Sequence, residues 1–379
     1  MNRSIYLDNN ATTALAPEVR AAMVAALETL YGNPSSLHPP GQAAAHAIRE
    51  ARTSVASLIG AHASEIVFTS GGTEANAMAI TGLASLAAPN APIITSRVEH
   101  PAVLAPIEHL ERRGHAVHTI GVTPSGALDD AACQHALSAA PGVAAFMWVN
   151  NESGVVFPIA DIATTVRQSG GCLHVDAVQA AGKIPVNVQD MAVDTLALSA
   201  HKLHGPKGIG ALYIRRGLKL PPLLGGGPQE QGRRAGTENL VGIVGFGKAC
   251  ECAAQARNAH SLEMARWRDR LEAGICETIP NVSINGADAP RAPNTSNVSF
   301  LHCEGESLLY HLADAGIFVS TGAACSSGTQ TPSHVLRAMQ LSANAVRGAI
   351  RFSLSRYTRG EDIDEVLSLL PGIVQAARR

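Results

Sequence analysis

The sequence predicts an α/β protein with two domains, the larger of which contains a mainly parallel sheet covered by helices. Short β-rich segments alternate with longer helical patterns through the first two thirds of the chain, which is typical of parallel strands joined by crossover helices. The length of 379 residues exceeds that of a usual single domain. With 46% hydrophobic and 16% charged residues, the composition also excludes intrinsic disorder and a coiled coil.

The elements of the larger domain follow from this alternation in chain order. Each candidate strand is a short run rich in β-branched and aliphatic residues, and each candidate helix is a longer run with a helical pattern. The candidate strands are Glu65–Thr69, Ile93–Ser96, Ala116–Ile120, Ala144–Val149, Cys172–Val175, Thr195–Ser199 and Ala211–Ile214. The candidate helices include Gly41–Leu58, Thr73–Leu86, Pro101–Arg113 and Ile159–Ser169. We therefore expect a seven-stranded sheet with helices on both faces.

The pattern changes after the glycine-rich segment Gly225–Pro228. A long helical stretch then runs from Asn239 towards Ile279, and isolated strands follow among helices. These strands are Thr295–Phe300 and Ile350–Leu354. We therefore predict a large domain over residues 16–255 and a small α+β domain formed by residues 1–15 and 256–379.

The charge balance and the cysteine count limit the classes of partner and compartment. The formal net charge is −2, from 29 basic and 31 acidic residues, so bulk electrostatics favour neither nucleic acid nor an anionic membrane. No apolar run is long enough for a transmembrane helix, and residues 1–10 lack the apolar segment of a signal peptide. The seven cysteines suggest no disulfide framework. We expect a cytoplasmic protein with reduced thiols.

Two charged side chains follow neighbouring predicted strands. Lys202 comes shortly after the strand Thr195–Ser199, and Asp176 follows the strand before it. Open α/β sheets bind ligands at this carboxyl edge. Pyridoxal phosphate chemistry requires such a pair, an amine that forms a Schiff base and a carboxylate that keeps the pyridine nitrogen protonated. Taken singly, the aspartate is more often a helix cap and the lysine a solvated loop residue.

The segment Phe68–Asn76 is a candidate phosphate-binding loop. It is predicted as a strand, a turn at Gly71 and Gly72, and a helix that begins at Thr73. Backbone N–H groups and the helix dipole favour a phosphate at such a position, and the Thr73 hydroxyl adds a donor. A plain helix cap at Thr73 explains the segment about equally well.

Longer motifs resemble the cysteine desulfurases, which are fold-type I, class V pyridoxal phosphate enzymes. The motifs are Tyr6–Thr13 (YLDNNATT), Gly32–His38 (GNPSSLH), Ser199–Gly208 (SAHKLHGPKG) and Gly232–Asn239 (GRRAGTEN). The resemblance extends over essentially the whole chain, and Arg351–Tyr357 (RFSLSRY) favours the NifS branch. It implies the fold-type I architecture, a homodimer, and the removal of sulfur from L-cysteine with alanine as the other product.

By this resemblance, four side chains surround the cofactor ring. Lys202 carries the Schiff base, Asp176 pairs with the pyridinium, and Gln179 hydrogen-bonds the ring hydroxyl. His100, in the segment VEHPA, stacks on the ring and helps proton transfer. Without the resemblance, a histidine that starts a helix is the simpler interpretation of His100.

The resemblance also implies residues for the phosphate and for the substrate. The phosphate-binding residues are Gly72, Thr73, Ser199 and His201, together with Thr237 of the partner subunit. Asn151 lies beside the cofactor and the substrate carboxylate, and Arg351 binds that carboxylate, a role that suits a planar guanidinium. A surface ion pair is otherwise the commoner role of an arginine.

One cysteine has the setting of a reactive thiol. Cys325 lies in the run STGAACSSG, whose small residues and glycines favour a mobile loop over a packed core. The resemblance makes it the nucleophile that takes the sulfur as a persulfide and donates it to an iron–sulfur scaffold protein or another acceptor. Protonated His100 is one cation that could favour its thiolate, and Ser333 is a candidate helix cap. The cysteines expected to be passive are Cys133, Cys172, Cys276 and Cys303. Cys250 and Cys252 could suggest a metal site, but no second cysteine pair lies nearby, so ordinary helix cysteines are favoured.

Other interpretations remain open. The same fold suits another class V enzyme, such as a selenocysteine lyase or an aminotransferase, and also a non-catalytic dimeric assembly module. A metal site at His201 and His204 is disfavoured because their spacing matches no usual metal motif, so we expect no metal beyond a transient iron–sulfur contact at Cys325. The chain ends at Arg379 without the extended tail that helps the housekeeping branch to dock a scaffold, so we expect weaker docking.

Overall fold

The computed structural model describes residues 4–255, 257–321 and 332–378. Its strands are β1 (Ile5–Tyr6), β2 (Ile66–Thr69), β3 (Ile93–Ser96), β4 (Val117–Ile120), β5 (Val143–Met147), β6 (Cys172–Asp176), β7 (Thr195–Ser199), β8 (Gly210–Ile214), β9 (Val282–Ile284), β10 (Thr295–Phe300), β11 (Ile317–Phe318) and β12 (Ala349–Ser353). Its α-helices are α1 (Pro17–Thr29), α2 (Pro39–Leu58), α3 (Gly72–Leu86), α4 (Pro101–Arg112), α5 (Asp130–Ser138), α6 (Ile159–Gln168), α7 (Leu240–Gln255), α8 (Arg257–Thr278), α9 (Gly305–Asp314), α10 (His334–Ala338), α11 (Ala343–Arg347) and α12 (Gly360–Ala377).

Seven of these strands form one sheet in the order β2-β8-β7-β6-β5-β3-β4. β8 runs antiparallel to both of its neighbours, and the other neighbouring pairs are parallel. The expected seven-stranded, mainly parallel sheet is therefore confirmed, and the strand ends differ from the prediction by one or two residues at most. The order also places the carboxyl ends of β5, β6 and β7 side by side.

The sheet is covered on both faces because its strands alternate apolar side chains between two cores. In β7, Leu196 and Leu198 pack into one core and Ala197 packs into the other. Tyr213 and Leu212 of β8 are divided in the same way. Every residue of β7 and β8 is buried, which is the pattern expected for strands with helices on both faces.

The structure also contains elements that the sequence analysis did not identify. Only two residues of α1, Val19 and Ala26, are buried, so its apolar pattern is weak. β1 and β11 are two residues long and are defined by their pairing with each other, although they are distant in sequence. The long helical stretch predicted after residue 239 consists of α7 and α8. Among the described residues, no helix combines the length and the apolar character needed to cross a membrane.

A third hydrophobic core surrounds the three-stranded sheet β12-β10-β9. Helices α8, α9 and α12 contribute apolar residues to it, and the N-terminal segment contributes Ile5 and Leu7. Leu336 and Val346 of the predicted small domain pack instead into the core of the seven-stranded sheet. The division into domains at residue 255 therefore stays a prediction, which the separate core around the three-stranded sheet supports.

A buried ion pair connects α2 and β2 to the segment after β8. Arg52 donates from two guanidinium nitrogens to the Glu230 carboxylate at 2.6 and 2.7 Å, and Glu230 also accepts from the Phe68 backbone N–H at 2.8 Å. Only 14% of the Arg52 side chain and 3% of the Glu230 side chain are exposed. Because the substitution leaves the guanidinium uncompensated, we expect Glu230→Ala to lower the free energy of unfolding by about 3 kcal/mol.

Chemical denaturation followed by circular dichroism measures this change. The matched control is Lys248→Ala, which breaks an exposed ion pair with Glu251 and should change the free energy of unfolding by less than about 0.5 kcal/mol. Equal effects of the two substitutions would contradict the structural role of the Arg52–Glu230 pair.

Candidate active site

A cavity of about 320 Å³ lies at the carboxyl ends of β5, β6 and β7. Side chains that end or follow these strands line it, together with residues from the starts of α3 and α4. Ten of the twelve residues predicted for the site line this cavity. They are Gly72, Thr73, His100, Asn151, Asp176, Gln179, Ser199, His201, Lys202 and Arg351.

Lys202 lies in a short 3₁₀ helix that directly follows β7. Its Nζ atom donates to the backbone oxygens of Asn10 at 2.5 Å and of Ala11 at 2.7 Å. Burial lowers the pKa of Lys202 to about 8, and the cation of Arg351 contributes to this lowering. A larger fraction of the amine is therefore uncharged at pH 7 than for an ordinary lysine, and the uncharged amine is the nucleophilic form.

Asp176 ends β6 and is held by a chain of buried hydrogen bonds. Its Oδ1 atom accepts from the Val178 backbone N–H at 3.0 Å, and its Oδ2 atom accepts from Asn76 Nδ2 at 2.7 Å. Asn76 Oδ1 lies 2.8 Å from His174 Nε2, and His174 Nδ1 lies 2.9 Å from Thr195 Oγ1. Asn76, His174 and Thr195 are at most 1% exposed.

The carboxylate of Asp176 fixes the direction of each hydrogen bond in the series from Asp176 to Thr195. An ionised carboxylate only accepts, so Asn76 turns its NH₂ group towards Asp176 and its oxygen towards His174. His174 then donates from Nε2, and its Nδ1 atom accepts from the Thr195 hydroxyl. Burial lowers the pKa of His174 to about 3, so the ring is neutral, as this arrangement requires.

The N-terminus of α3 forms another part of the cavity wall. A Cβ atom at position 72 would lie 2.8 Å from Val178 Cγ2, so the backbone approaches Val178 more closely than a side chain on Gly72 would allow. Thr73, Ser199 and His201 line the same cavity, and the backbone N–H groups at a helix start favour an anion. Burial lowers the pKa of His201 to about 4, so this residue offers a neutral ring.

His100 is the N-cap residue of α4 and lines the cavity. Its Nδ1 atom accepts from the Ala102 backbone N–H at 3.1 Å, so the proton of the neutral ring lies on Nε2. Burial lowers the pKa of His100, and although Asp176 opposes this shift, Lys202 adds to it. The neutral ring is favoured at pH 7, which argues against the expectation that protonated His100 supplies a cation for a thiolate.

Arg351, in β12, is only 2% exposed and lines the cavity. Its Nη2 atom donates to Asp8 Oδ1 at 2.6 Å, and its Nη1 atom donates to the Asn151 backbone oxygen at 3.1 Å. Its Nε atom is buried and has no hydrogen-bond partner among the described residues. The guanidinium is therefore held in place with its Nε–H group unpaired, which suits the binding of a ligand carboxylate.

Gln179 has partners that the sequence analysis did not identify. Its Nε2 atom donates to the Asn10 backbone oxygen at 2.9 Å, and its Oε1 atom accepts from Lys183 Nζ at 2.6 Å. Asn10 lies within the YLDNNATT motif, which was the available signal for its role. Lys183 lies four residues after Gln179, and Asn76 lies three residues after Thr73. This spacing is the signal that could have indicated Lys183 and Asn76 as neighbours of the predicted site residues.

Thr237 does not line the cavity of its own chain. Thr237 is exposed. A residue that contacts the site of a partner subunit is expected to be exposed when one chain is considered alone. Its segment is connected to the start of α3 by the ion pair between Arg234 Nε and Glu74 Oε1 at 2.9 Å. The predicted contact of Thr237 with the partner's phosphate site stays a prediction.

Cys325 lies outside the described residues. Before it, Ser320 exchanges two backbone hydrogen bonds with Arg351, at 2.6 and 3.2 Å. After it, Ser333 caps α10 as predicted and donates to Glu152 Oε2 at 2.6 Å. The described residues on both sides of the cysteine therefore contact the elements that carry Arg351 and Asn151.

Burial disfavours the thiolate form at four of the six described cysteines. It raises the pKa of Cys133 to about 11 and also raises the pKa values of the others. These others are Cys172, Cys250 and Cys303. Because the thiolate is the nucleophilic form, these four residues are unsuited to sulfur transfer.

The donor set of the cavity fits pyridoxal 5′-phosphate. It combines an amine at Lys202, a carboxylate at Asp176 and an anion-binding helix start at Gly72, where the backbone is uncovered by a side chain. The alternative metal site finds no support, since His201 and His204 bond to Thr12 Oγ1 and to a backbone oxygen. Within the described ranges, no group of three or more His, Cys, Asp or Glu side chains is placed to hold a metal ion.

Comparisons with known proteins give one consistent result. The chain matches the aminotransferase class-V family over residues 5–366. It is 50% identical over 380 residues to a cysteine desulfurase of Enterobacter agglomerans, which covers 99% of this chain and 94% of the relative. A solved NifS-like protein superposes with a TM-score of 0.92 at 35% identity, covering 99% of this chain and 100% of that one. A structure described as SspA in complex with cysteine gives a TM-score of 0.82 at 35% identity, covering 94% and 100%.

Proposed function

The chain belongs to the aminotransferase class-V family and, within it, to the cysteine desulfurases, and we propose on this basis that it removes sulfur from L-cysteine. The products are L-alanine and a persulfide on Cys325. The observation that carries the proposal is that Lys202, Asp176 and Arg351 line one cavity, at which α3 also begins. That set provides an amine, an anion, a carboxylate-binding group and an anion-binding helix end in the same space.

The cofactor of the proposed reaction is pyridoxal 5′-phosphate. When bound, it supplies an electron-accepting ring that takes up the electrons of bonds broken at the substrate's carbon atoms. Asp176 would face its ring nitrogen, and Gln179 would donate to its ring hydroxyl. The phosphate would be held by the start of α3 together with Thr73, Ser199 and His201.

Lys202 and His100 are the proposed proton-transfer groups. Lys202 has a pKa of about 8, so its amine can be uncharged when it takes a proton from the substrate Cα and charged when it returns one. His100 is neutral, with its proton on Nε2, so it can donate a hydrogen bond without adding a positive charge. With Lys202 moving protons and His100 neutral, Arg351 is the cation that attracts the substrate.

Arg351 would bind the substrate carboxylate through its unused Nε–H group. The ion pair with Asp8 holds the guanidinium before the substrate enters, so little side-chain entropy is lost on binding. The Asn151 backbone oxygen holds a second nitrogen of the guanidinium. The substrate is therefore selected for a free carboxylate next to its amine, as in L-cysteine.

Cys325 is the proposed sulfur acceptor. Its thiolate attacks the substrate Sγ atom, so that an S–S bond forms and the substrate C–S bond breaks. L-Cysteine and the Cys325 thiol together give L-alanine and a Cys325 persulfide, with no external oxidant or reductant. Burial raises the pKa values of four of the described cysteines and so disfavours their thiolate forms. This supports the choice of Cys325, which the sequence places in a run of small residues, as the acceptor.

The proposal is tested by mass spectrometry of the protein after incubation with L-cysteine and pyridoxal phosphate. We expect one additional sulfur atom on the peptide that contains Cys325, and alanine in the solution. With a thiol reductant present, Cys325→Ser should lower sulfide release by about a hundredfold or more, because the nucleophile is lost.

The matched control is Cys276→Ser, since Cys276 is an exposed cysteine on α8. It should leave sulfide release unchanged. Unaltered sulfide release by Cys325→Ser would show that Cys325 is not the acceptor. A keto acid product with transfer of the amino group would identify an aminotransferase instead of a desulfurase.

We further propose that the enzyme acts as a homodimer in the cytoplasm, with Thr237 of the partner subunit completing the phosphate site. The exposure of Thr237 and the connection of its segment to α3 through Arg234 and Glu74 support this arrangement. The persulfide would pass to an iron–sulfur scaffold protein or another sulfur acceptor.

A further inference from the structure

Lys183 is a buried cationic side chain that the proposed reaction does not use. It is 8% exposed, lies four residues after Gln179, and does not itself line the cavity. Among the described residues it forms no ion pair with a carboxylate, although lysines are almost never buried without such a partner. A buried lysine of this kind requires a physical explanation.

The side-chain hydrogen bonds of Lys183 all lead to residues beside the cavity. Its Nζ atom donates to Gln179 Oε1 at 2.6 Å and to Asn10 Oδ1 at 3.3 Å. Asn10 in turn accepts, at its backbone oxygen, from both Lys202 Nζ and Gln179 Nε2. The lysine thus contacts two residues that are themselves bonded to each other and, through Asn10, to the reactive amine.

Lys183 and the Asn10 backbone oxygen together fix the orientation of the Gln179 amide. The Lys183 Nζ atom donates to Gln179, so the oxygen of that amide must face the lysine. The Nε2 end therefore faces the other way, where one of its two hydrogens bonds to the Asn10 backbone oxygen. The second hydrogen has no partner among the described residues and belongs to a side chain that lines the cavity.

The orientation does not depend on the charge of the lysine. Burial lowers the pKa of Lys183 to about 7, and the cations of Lys202 and Arg351 add to the shift. Both the ammonium group and the neutral amine carry N–H groups that can donate to Gln179 Oε1 and Asn10 Oδ1. Because the Asn10 backbone oxygen can only accept, Gln179 Nε2 keeps facing it in both cases, and Gln179 is held as a hydrogen-bond donor to the cavity on either side of neutral pH.

We propose that Lys183 is a positioning residue that sets Gln179 as a donor to the ring oxygen of pyridoxal phosphate. This inference rests on the proposed function, because it concerns the same cofactor. A ring hydroxyl that has lost its proton can only accept, so an amide turned the other way would place oxygen against oxygen and weaken binding.

The test measures the dissociation constant of pyridoxal phosphate from the apoprotein by absorbance titration. Lys183→Met keeps the apolar stem and removes the donor, and we expect the dissociation constant to rise about tenfold, which corresponds to about 1.4 kcal/mol. Removal of a buried cation without a carboxylate partner is not expected to unfold the chain. Lys248→Met, at an exposed lysine of α7, is the matched control and should leave the constant unchanged.

A double-mutant cycle separates positioning from a general structural effect. If Lys183 acts through Gln179, Lys183→Met should raise the dissociation constant in the parent protein and have almost no further effect in Gln179→Ala. Gln179→Glu, which retains the partner of Lys183 but cannot donate, should also weaken cofactor binding. This second substitution keeps the inference testable if the lysine substitution fails to fold.

The possible results distinguish the inference from the proposed function. If the parent protein binds no pyridoxal phosphate, the proposed function fails and the inference fails with it. If the parent protein binds the cofactor and Lys183→Met binds it equally well, only the inference fails. Additive losses in the two single variants and their combination would also overturn it, because they would mean that the lysine acts independently of Gln179.

Discussion

Lys202→Ala is expected to lower kcat by about ten-thousandfold or more and to leave the protein without the visible absorbance of a lysine-bound cofactor. Lys202 is the amine that lines the cavity directly after β7, and Asp176 and Arg351 line the same cavity. No other lysine lines this cavity among the described residues. The substitution therefore removes both the attachment point of the cofactor and the group that moves the substrate proton.

The lowered pKa of Lys202 adds a pH dependence to this prediction. The neutral amine is the form that attacks a carbonyl, and burial brings its pKa from an ordinary value near 10.5 to about 8. The rate at which the apoprotein attaches pyridoxal phosphate should therefore rise from pH 6 to about 8 and then level off. A rate that continues to rise to about pH 10 would contradict the effect of burial on this amine.

Both parts of the prediction are measured on purified protein, by sulfide release and by absorbance after addition of pyridoxal phosphate. The matched control is Lys219→Ala, which removes an exposed lysine and should alter neither readout. Desulfuration by Lys202→Ala at the parent rate would refute the assignment of the catalytic amine.

The positions of Lys202 and Asp176 could be predicted because they depend on local patterns. Each follows a short apolar strand, and parallel strands bring their carboxyl ends to one edge of the sheet. The structure confirms this edge, with β6 paired directly to β7. The two side chains line the same cavity. Their proximity could therefore be predicted without knowing the rest of the topology.

The partners of these residues could not be predicted in the same way. Arg351 and Asp8 are 343 residues apart in the sequence, and only the packing of β12 beside the N-terminal segment brings them to 2.6 Å. Asn76 and His174 are 98 residues apart in the sequence and meet only in the folded structure. A local pattern contains no information about which distant donor a buried acceptor will find.

One such partner did leave a trace in the sequence. His174 is a polar residue inside the apolar strand Cys172–Asp176, and it is 0% exposed in the structure. Buried polar side chains are nearly always hydrogen-bonded, so a histidine at this position indicates neighbours of its own. The sequence alone could indicate such neighbours, but their identities, Asn76 and Thr195, required the fold.

Asp176→Asn is expected to lower kcat by about a thousandfold, since it removes the negative charge placed to face the ring nitrogen of the cofactor. The size and shape of the side chain are kept, so the cofactor should still bind through Lys202. Sulfide release measures the loss, and cofactor content measured by absorbance separates it from a loss of binding. Asp190→Asn, at an exposed carboxylate, is the matched control and should retain parent activity.

The buried hydrogen bonds around Asp176 explain why this variant should remain folded. An asparagine at 176 can donate to Asn76, and Asn76 can then turn its amide and donate to His174 Nε2. His174, neutral because burial lowers its pKa to about 3, can move its proton to Nδ1 and donate to the Thr195 hydroxyl. Because the amide, imidazole and hydroxyl groups can each both donate and accept, the three hydrogen bonds between residues 176, 76, 174 and 195 can all reverse direction. We therefore expect the free energy of unfolding to change by less than about 1 kcal/mol, whereas a large loss of stability would mean that the direction of these bonds cannot reverse.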